Sequence, residues 1–259
     1  MNCRISSINY CPVKSLSFQS INSCQIKKNI GIKNDRIFAF SRIIDSNKAK
    51  LYETNPDLRN LNNLLTLKNS PELNKYNFEY NQTNLSMFLN DKKIISINPD
   101  FEIERNEICN FISNLENSLI KPIYLLKNKT HPFFDTTHSK NIFNSMSLIN
   151  LNSIKEFENK INKKVEDQRF RGNLYVDGIE AWEERDWIGK IIKINNISFK
   201  VEKNIPRCVA INLKPKTDDN SINLLKSLKT VYNHFDMGIY LTPLDEGEIN
   251  IGDKVELNR

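Results

Sequence analysis

Glycine is scarce in this chain: seven residues among 259, at Gly31, Gly172, Gly178, Gly189, Gly238, Gly247 and Gly252. None of them form a G-x-G-x-x-G frame, which excludes the dinucleotide-binding turn of that fingerprint. Gly247 and Gly252 have P-loop spacing, but Asp253 and Lys254 follow where Lys and Ser or Thr are required. With so little glycine, asparagine must occupy many turn positions with positive φ, which it tolerates better than most residues. The five cysteines (Cys3, Cys11, Cys24, Cys109, Cys208) are odd in number and hold no C-x-x-C pair. That spacing reads as neither a disulfide framework, an iron–sulfur site nor a structural zinc site. Of three histidines, His131, His138 and His234, none forms an i, i+4 zincin pair. Long apolar runs are missing too, and about 18 residues would be needed to span a bilayer. The start, Met1-Asn2-Cys3-Arg4-Ile5, alternates polar and apolar and builds no signal-peptide core. A cytoplasmic protein with no membrane partner is therefore expected.

Charge of neither sign dominates. Lys and Arg number 37 against 31 Asp and Glu, a net +6. This permits an anionic ligand without demanding one. The basic residues are scattered and not interleaved with aromatics as a single-strand binder requires, so no nucleic-acid partner is expected.

What is present reads as an α+β chain, mainly β. Ile5, Tyr10 and Val13 open a β-rich segment; Ile37 to Ile44 and Lys92 to Asn98 repeat it. Ile108, Phe111, Ile112, Leu115 and Leu119 then recur at helical spacing. Residues 127–141 are polar and aperiodic, either a crossover between domains or a functional loop. Ser153 and Glu156 predict a capping box for a second helix with Ile154, Phe157, Ile161 and Val165 on one face. Asn195-Asn196, between Ile192-Lys193-Ile194 and Ile197 to Val201, predicts a hairpin turn. Ser221 is expected to cap a short helix carrying Ile222, Leu225 and Leu228. Two β-rich units separated by helices suggest barrels or strongly bent sheets.

Three constellations could carry chemistry. Cys208, beside Arg207, follows a predicted strand, and the neighbouring cation would favour the thiolate. Free cysteine is also among the most buried residue types, so a core role stands beside the reactive one. Pro12-Val13-Lys14-Ser15 and Asn34-Asp35-Arg36 could hold a phosphate by charge and by the fork geometry of Arg. Arg169-Phe170-Arg171-Gly172-Asn173 suggests an anion site at a tight turn. Taken alone, each of the last two reads more readily as a solvated basic edge.

In order along the chain, these motifs resemble one family. With Asn144-Ser145 before a helix, Phe235-Asp236-Met237-Gly238-Ile239-Tyr240 and Ile251-Gly252-Asp253-Lys254-Val255, they are similar to the MOSC family. The nearer subgroup has an N-terminal β-barrel extension and includes the amidoxime-reducing component and its bacterial relatives. The resemblance implies an N-terminal barrel-like domain over 1–125 and a MOSC β-barrel domain with peripheral helices over 126–259. It implies a molybdenum–molybdopterin cofactor, with Cys208 as catalytic residue and metal ligand. Lys14, Ser15, Arg36, Ser145 (or Asn144), Arg171, Asn173, Arg207 and Tyr240 match cofactor-contacting positions. An oxidoreductase acting on small N-hydroxylated substrates is implied; a non-redox carrier of the cofactor, or of another phosphorylated ligand, is the alternative. With neither a nicotinamide turn nor a cluster motif in the sequence, electrons are expected from an external electron-transfer protein.

The chain departs from the family pattern in three places. Cys11 stands where relatives have Tyr, Gly172 where they have Pro, and Pro206 where they may offer Ser. His234 could supply a proton, although a lone histidine before Phe-Asp is more often structural.

Overall fold

The computed structural model describes residues 2–28, 30–134 and 146–257. In chain order the first half runs β1 (Arg4–Tyr10), β2 (Gln19–Ile21), β3 (Ser23–Lys27), β4 (Gly31–Ile32), β5 (Phe38–Arg42), α1 (Ser46–Thr54), β6 (Tyr76–Tyr80), β7 (Leu85–Leu89), β8 (Lys92–Ile97), α2 (Glu102–Leu115) and β9 (Ile123–Lys127). The second runs β10 (Met146–Asn150), α3 (Leu151–Ile161), β11 (Leu174–Asp177), β12 (Ile191–Ile194), β13 (Ile197–Pro206), α4 (Leu224–Tyr232), β14 (Asp236–Pro243), β15 (Gly247–Asn250) and β16 (Val255–Leu257). Short 3₁₀ turns lie between several of them. No helix among the described residues is long and apolar enough to cross a membrane.

The sequence suggested barrels or strongly bent sheets; the described residues form several curled sheets, mainly β, with no closed barrel found among them. The largest sheet has eight strands in the order β16-β12-β13-β14-β10-β11-β1-β2. It bends until β1 approaches β16, but the seam carries only the bridge Arg4–Lys254 and flanking bonds such as Ile5 N–H to Asp253 O, 2.9 Å. β16 has three residues and follows a turn at Gly252, so too little strand remains for a continuous ladder. The smaller sheets are β15-β3-β4, β5-β9 and β6-β7-β8.

Apolar spacing sorts these elements into cores. Ile5, Ile8, Leu148, Val176, Phe199 and Ile239 fill the inside of the large sheet. A second core, with Phe38, Phe78, Met87, Ile108 and Ile112, belongs mostly to the first 125 residues but takes in Ala210 and Leu213. β1 and β2 lie in the sheet otherwise built from β10 onward. The Asn195-Asn196 hairpin forms as read, with Asn195 at φ 54°.

Two caps differ from the sequence reading. α3 is capped by Asn150, whose side chain accepts from Asn152 N–H. Ser153 instead lies inside the helix and donates its hydroxyl to the buried Glu184 carboxylate, 2.9 Å away. α4 is capped by Asn223, not Ser221. In both cases an asparagine nearer the helix start takes the cap, a role it fills as well as serine.

Candidate functional site

The loop after β1 is held by its own polar groups. Cys11 is buried, its thiol 2.8 Å from Val13 O, and burial raises its pKa. Asp35, fully buried, accepts from Cys11 N–H at 2.7 Å, from the Asn173 amide at 3.2 Å and from Arg36. These bonds bring residues 11 to 16 against residues 34 to 38, with Lys14 N–H donating to Phe38 O at 2.7 Å. Lys14 itself is 1% exposed.

Ser15 (φ 63°), Arg36 (φ 53°) and Arg171 (φ 53°) all adopt the left-handed conformation, as do turn residues elsewhere such as Ile43, Gln82 and Asn233. In these three the conformation sets the direction in which the loop presents its side chain. Ser15 Oγ accepts from Leu67 N–H at 3.3 Å. The Arg171 guanidinium donates to Leu16 O at 2.6 Å, which ties the turn before β11 to the Lys14–Ser15 loop. Both Arg36 and Arg171 lie over the ring of Phe18, 5.4 and 5.0 Å from its centroid.

The Arg-Phe-Arg motif divides in three dimensions. Arg169 is buried, donating to Glu166 and to Asn212 O. Phe170 enters the core beneath α3 and α4. Arg171 reaches the Lys14–Ser15 loop and Phe18, while Arg169 and Arg171 both line the cleft beside Phe18. Gly172 follows because a Cβ there would meet the Ile149 side chain at 2.7 Å. Its N–H also donates to the Tyr175 hydroxyl at 3.0 Å, a bond that proline could not make. Asn173 is a hub. Its amide donates to Asn9 O and Asp35 and accepts from the Ser147 N–H and hydroxyl. All four of its amide positions are thus occupied by protein.

Arg207 and Cys208 end β13. Arg207 N–H donates to Phe235 O at 2.9 Å and its Nε to Met237 O at 2.8 Å. Burial lowers its pKa, opposed by Tyr240, Tyr175 and Cys208 and reinforced by Arg171, so these groups lie within electrostatic reach of one another. Cys208 is exposed, whereas Cys3, Cys11, Cys24 and Cys109 are buried. Tyr240 on β14 pairs with Ser147 on β10. A cleft lined by Phe18, Arg171, Ala210, Leu213 and Lys216 opens two residues past Cys208. Ser145 and Asn144 lie outside the described residues.

His234 stands apart in an aromatic cluster. It stacks on Tyr232 (13° between planes), and its ring nitrogens meet Asp236 N–H at 3.1 Å and the Arg185 guanidinium at 2.5 Å. Burial and Arg185 lower its pKa, a structural setting rather than a poised acid. Sequence reading passed over Phe18, Ser147 and Tyr175, which carry no motif and act through contacts between distant segments.

Arg36 and Arg171 thus meet at Phe18, and Arg171 lies within electrostatic reach of Arg207, which adjoins the exposed Cys208 thiol. Among the described residues no group of three or more His, Cys, Asp or Glu could hold a metal ion. The exposed Cys208 thiol could give a metal one soft ligand, and an accessible thiol near buried cations suits an anionic, sulfur-bearing cofactor.

The comparisons agree with this chemistry. Residues 135–256 match the family model "MOSC domain". The chain is 29% identical over 120 residues to mitochondrial amidoxime reducing component 2 of Rattus norvegicus, covering 42% of this chain and 35% of that protein. It is 32% identical over 114 residues to molybdenum cofactor sulfurase of Drosophila willistoni, covering 43% of this chain and 13% of the relative. These matches thus span about a third or less of the relatives' length. Among solved structures, the YUAD protein of Bacillus subtilis aligns over 99% of this chain and 96% of its own at 9% identity, with a TM-score of 0.44. Arg171, Asn173, Arg207, Cys208 and Tyr240 all fall within residues 135–256, the segment that is similar to the MOSC domain model.

Proposed function

We propose that the chain binds the molybdenum–molybdopterin cofactor and uses it to reduce small N-hydroxylated compounds. The observation that carries this reading is the convergence of Arg36, Arg171 and Arg207 toward one region whose edge holds the exposed Cys208 thiol. Names of the relatives, amidoxime reducing component and molybdenum cofactor sulfurase, supply the class of chemistry.

In this reading Lys14, Ser15, Arg36 and Arg171 hold the phosphate end of the cofactor, Arg207 and Tyr240 line the pterin, and Cys208 would give its thiolate to the metal. Asn173 supports the site from behind through Asp35 and Ser147. When bound, the cofactor would supply two-electron oxo-transfer chemistry. The overall reaction breaks the N–O bond of R–NHOH with two electrons and two protons, giving R–NH₂ and water. Electrons come from an external electron-transfer protein, and the net +6 charge favours an acidic one. A division near residue 125 into an extension and the MOSC domain belongs to the same proposal. A carrier that binds the cofactor without turnover is the second reading, favoured by the sulfurase matches.

The test is molybdenum and pterin content of protein made in a molybdopterin-competent host, followed by turnover of an N-hydroxylated substrate. A low-potential dye should support reduction while NADH or NADPH alone should not. Full loading without turnover would select the carrier; no loading would end both readings.

A further inference from the structure

Phe18 lies in no motif, yet two cations from distant segments meet at its ring. Arg36 comes from the turn before β5 and Arg171 from the turn before β11, and their guanidinium carbons sit 5.4 and 5.0 Å from the Phe18 centroid. Arg36 also lies 5.5 Å from the ring centroid of Phe134. The backbone around Phe18 is pinned on both sides. Ser17 Oγ accepts from Phe78 N–H at 2.6 Å, and Gln19 Oε1 from Tyr80 N–H at 3.1 Å. The ring is therefore held by β6, not by the cations it meets.

We propose that Phe18 is a positioning residue that gathers Arg36 and Arg171 into one two-arginine grip for a phosphate-bearing ligand. The physical case rests on what an aromatic face does that a carboxylate does not. Two guanidinium groups repel. Asp35 pairs with Arg36 and Leu16 O accepts from Arg171, and a further carboxylate between the two would cancel the charge needed to bind an anion. The negative face of an aromatic ring attracts both cations and adds no net charge. Phe18 is half-buried at the wall of the cleft that also contains Arg171 and Lys216, so its ring is placed where ligand would enter.

This inference rests on the phosphate site of the proposed function, and its test reads neither molybdenum nor turnover. Inorganic phosphate is titrated calorimetrically into the full chain, wild type against Phe18→Leu and Phe18→Tyr. Arginine side-chain NMR follows the ring-current displacement of the Arg36 and Arg171 Nε–H signals. Leucine preserves apolar volume but has no π face, so phosphate binding should weaken roughly five- to thirtyfold, with both signals losing their displacement. Tyrosine restores the face and should return both readouts to near wild type. Wild-type phosphate affinity in Phe18→Leu, or equal losses in Leu and Tyr variants of intact fold, overturns the inference. Protein that grips phosphate through this ring but takes up no molybdenum overturns the proposed function alone.

Discussion

Thiol environment separates Cys208 from its four namesakes. Burial pushes the Cys3, Cys24 and Cys109 thiols up to about 12 and raises Cys11 as well. Thiolate is the reactive form, so these four should stay inert in native protein near neutral pH. An aromatic disulfide reagent should titrate one fast thiol per chain, and Cys208→Ala should abolish that phase. Cys208 is exposed, so the variant should stay within about 0.5 kcal/mol of wild-type stability. Its molybdenum content should nonetheless fall sharply, and Cys208→Ser, a harder ligand, should do little better. Two or more fast thiols in wild type would mean that the burial pattern is not the one in solution. Residue-scale chemistry was only partly legible. The Arg207-Cys208 pair was readable as adjacent charge and thiol, but its exposure was not, because burial depends on what the far ends of the chain do.

Between α3 and the 3₁₀ turn at Glu183–Trp187 lies a carboxylate with no exposed surface, Glu184. Burial pushes its pKa up from the ordinary glutamate value, against hydrogen bonds from Asn150 and Ser153 and the pull of Arg185. The folded state thus holds a proton that the unfolded chain releases at lower pH. Stability from this group is fully present below the unfolded pKa and lost as pH rises through the higher folded value. Gln at this position does not titrate. The stability of wild type relative to Glu184→Gln should therefore decline as pH rises from about 4 toward neutrality and then level off. Urea unfolding across that range checks it; a difference independent of pH would show that Glu184 ionises alike in both states. The same contact explains the misread cap. Ser153 has the right spacing to Glu156 for a capping box, but its hydroxyl is committed to Glu184 and accepts Trp182 N–H at 2.8 Å. Local spacing cannot reveal a partner about thirty residues downstream.

At the scale of the molecule, β1 joins the two halves of the chain. It pairs with β11 over Arg4 to Ile8, and Ile5 and Ile8 lie within the core of the large sheet. β3 likewise pairs with β15. A fragment spanning 126–259 would leave the inner edge of β11 unpaired and remove Cys3, Ile5 and Ile8 from that core. Two isoleucines alone represent about 3–6 kcal/mol of burial, comparable to the whole stability of many domains. The fragment should be insoluble or unfold without a cooperative transition, and circular dichroism during heating decides it. A sharp melt would establish 126–259 as an independent folding unit despite the shared sheet.

The sequence by itself determined the class of structure and the candidate ligands. Runs of β-branched and aromatic residues specify strands such as β5 and β8, the 3.6-residue period specifies α2 and α3, and Asn195-Asn196 specifies a hairpin turn. Each depends on neighbours within a few residues. Tertiary structure decided what those local rules leave open. It split Arg169 from Arg171, made Asn173 a buried hub, left the large sheet unclosed and brought Arg36 and Arg171 to Phe18. The physical reason is common to all four. Whether a charge is buried, paired or presented depends on segments more than a hundred residues apart in sequence, such as Leu16 and Arg171, and no local period or spacing encodes their meeting.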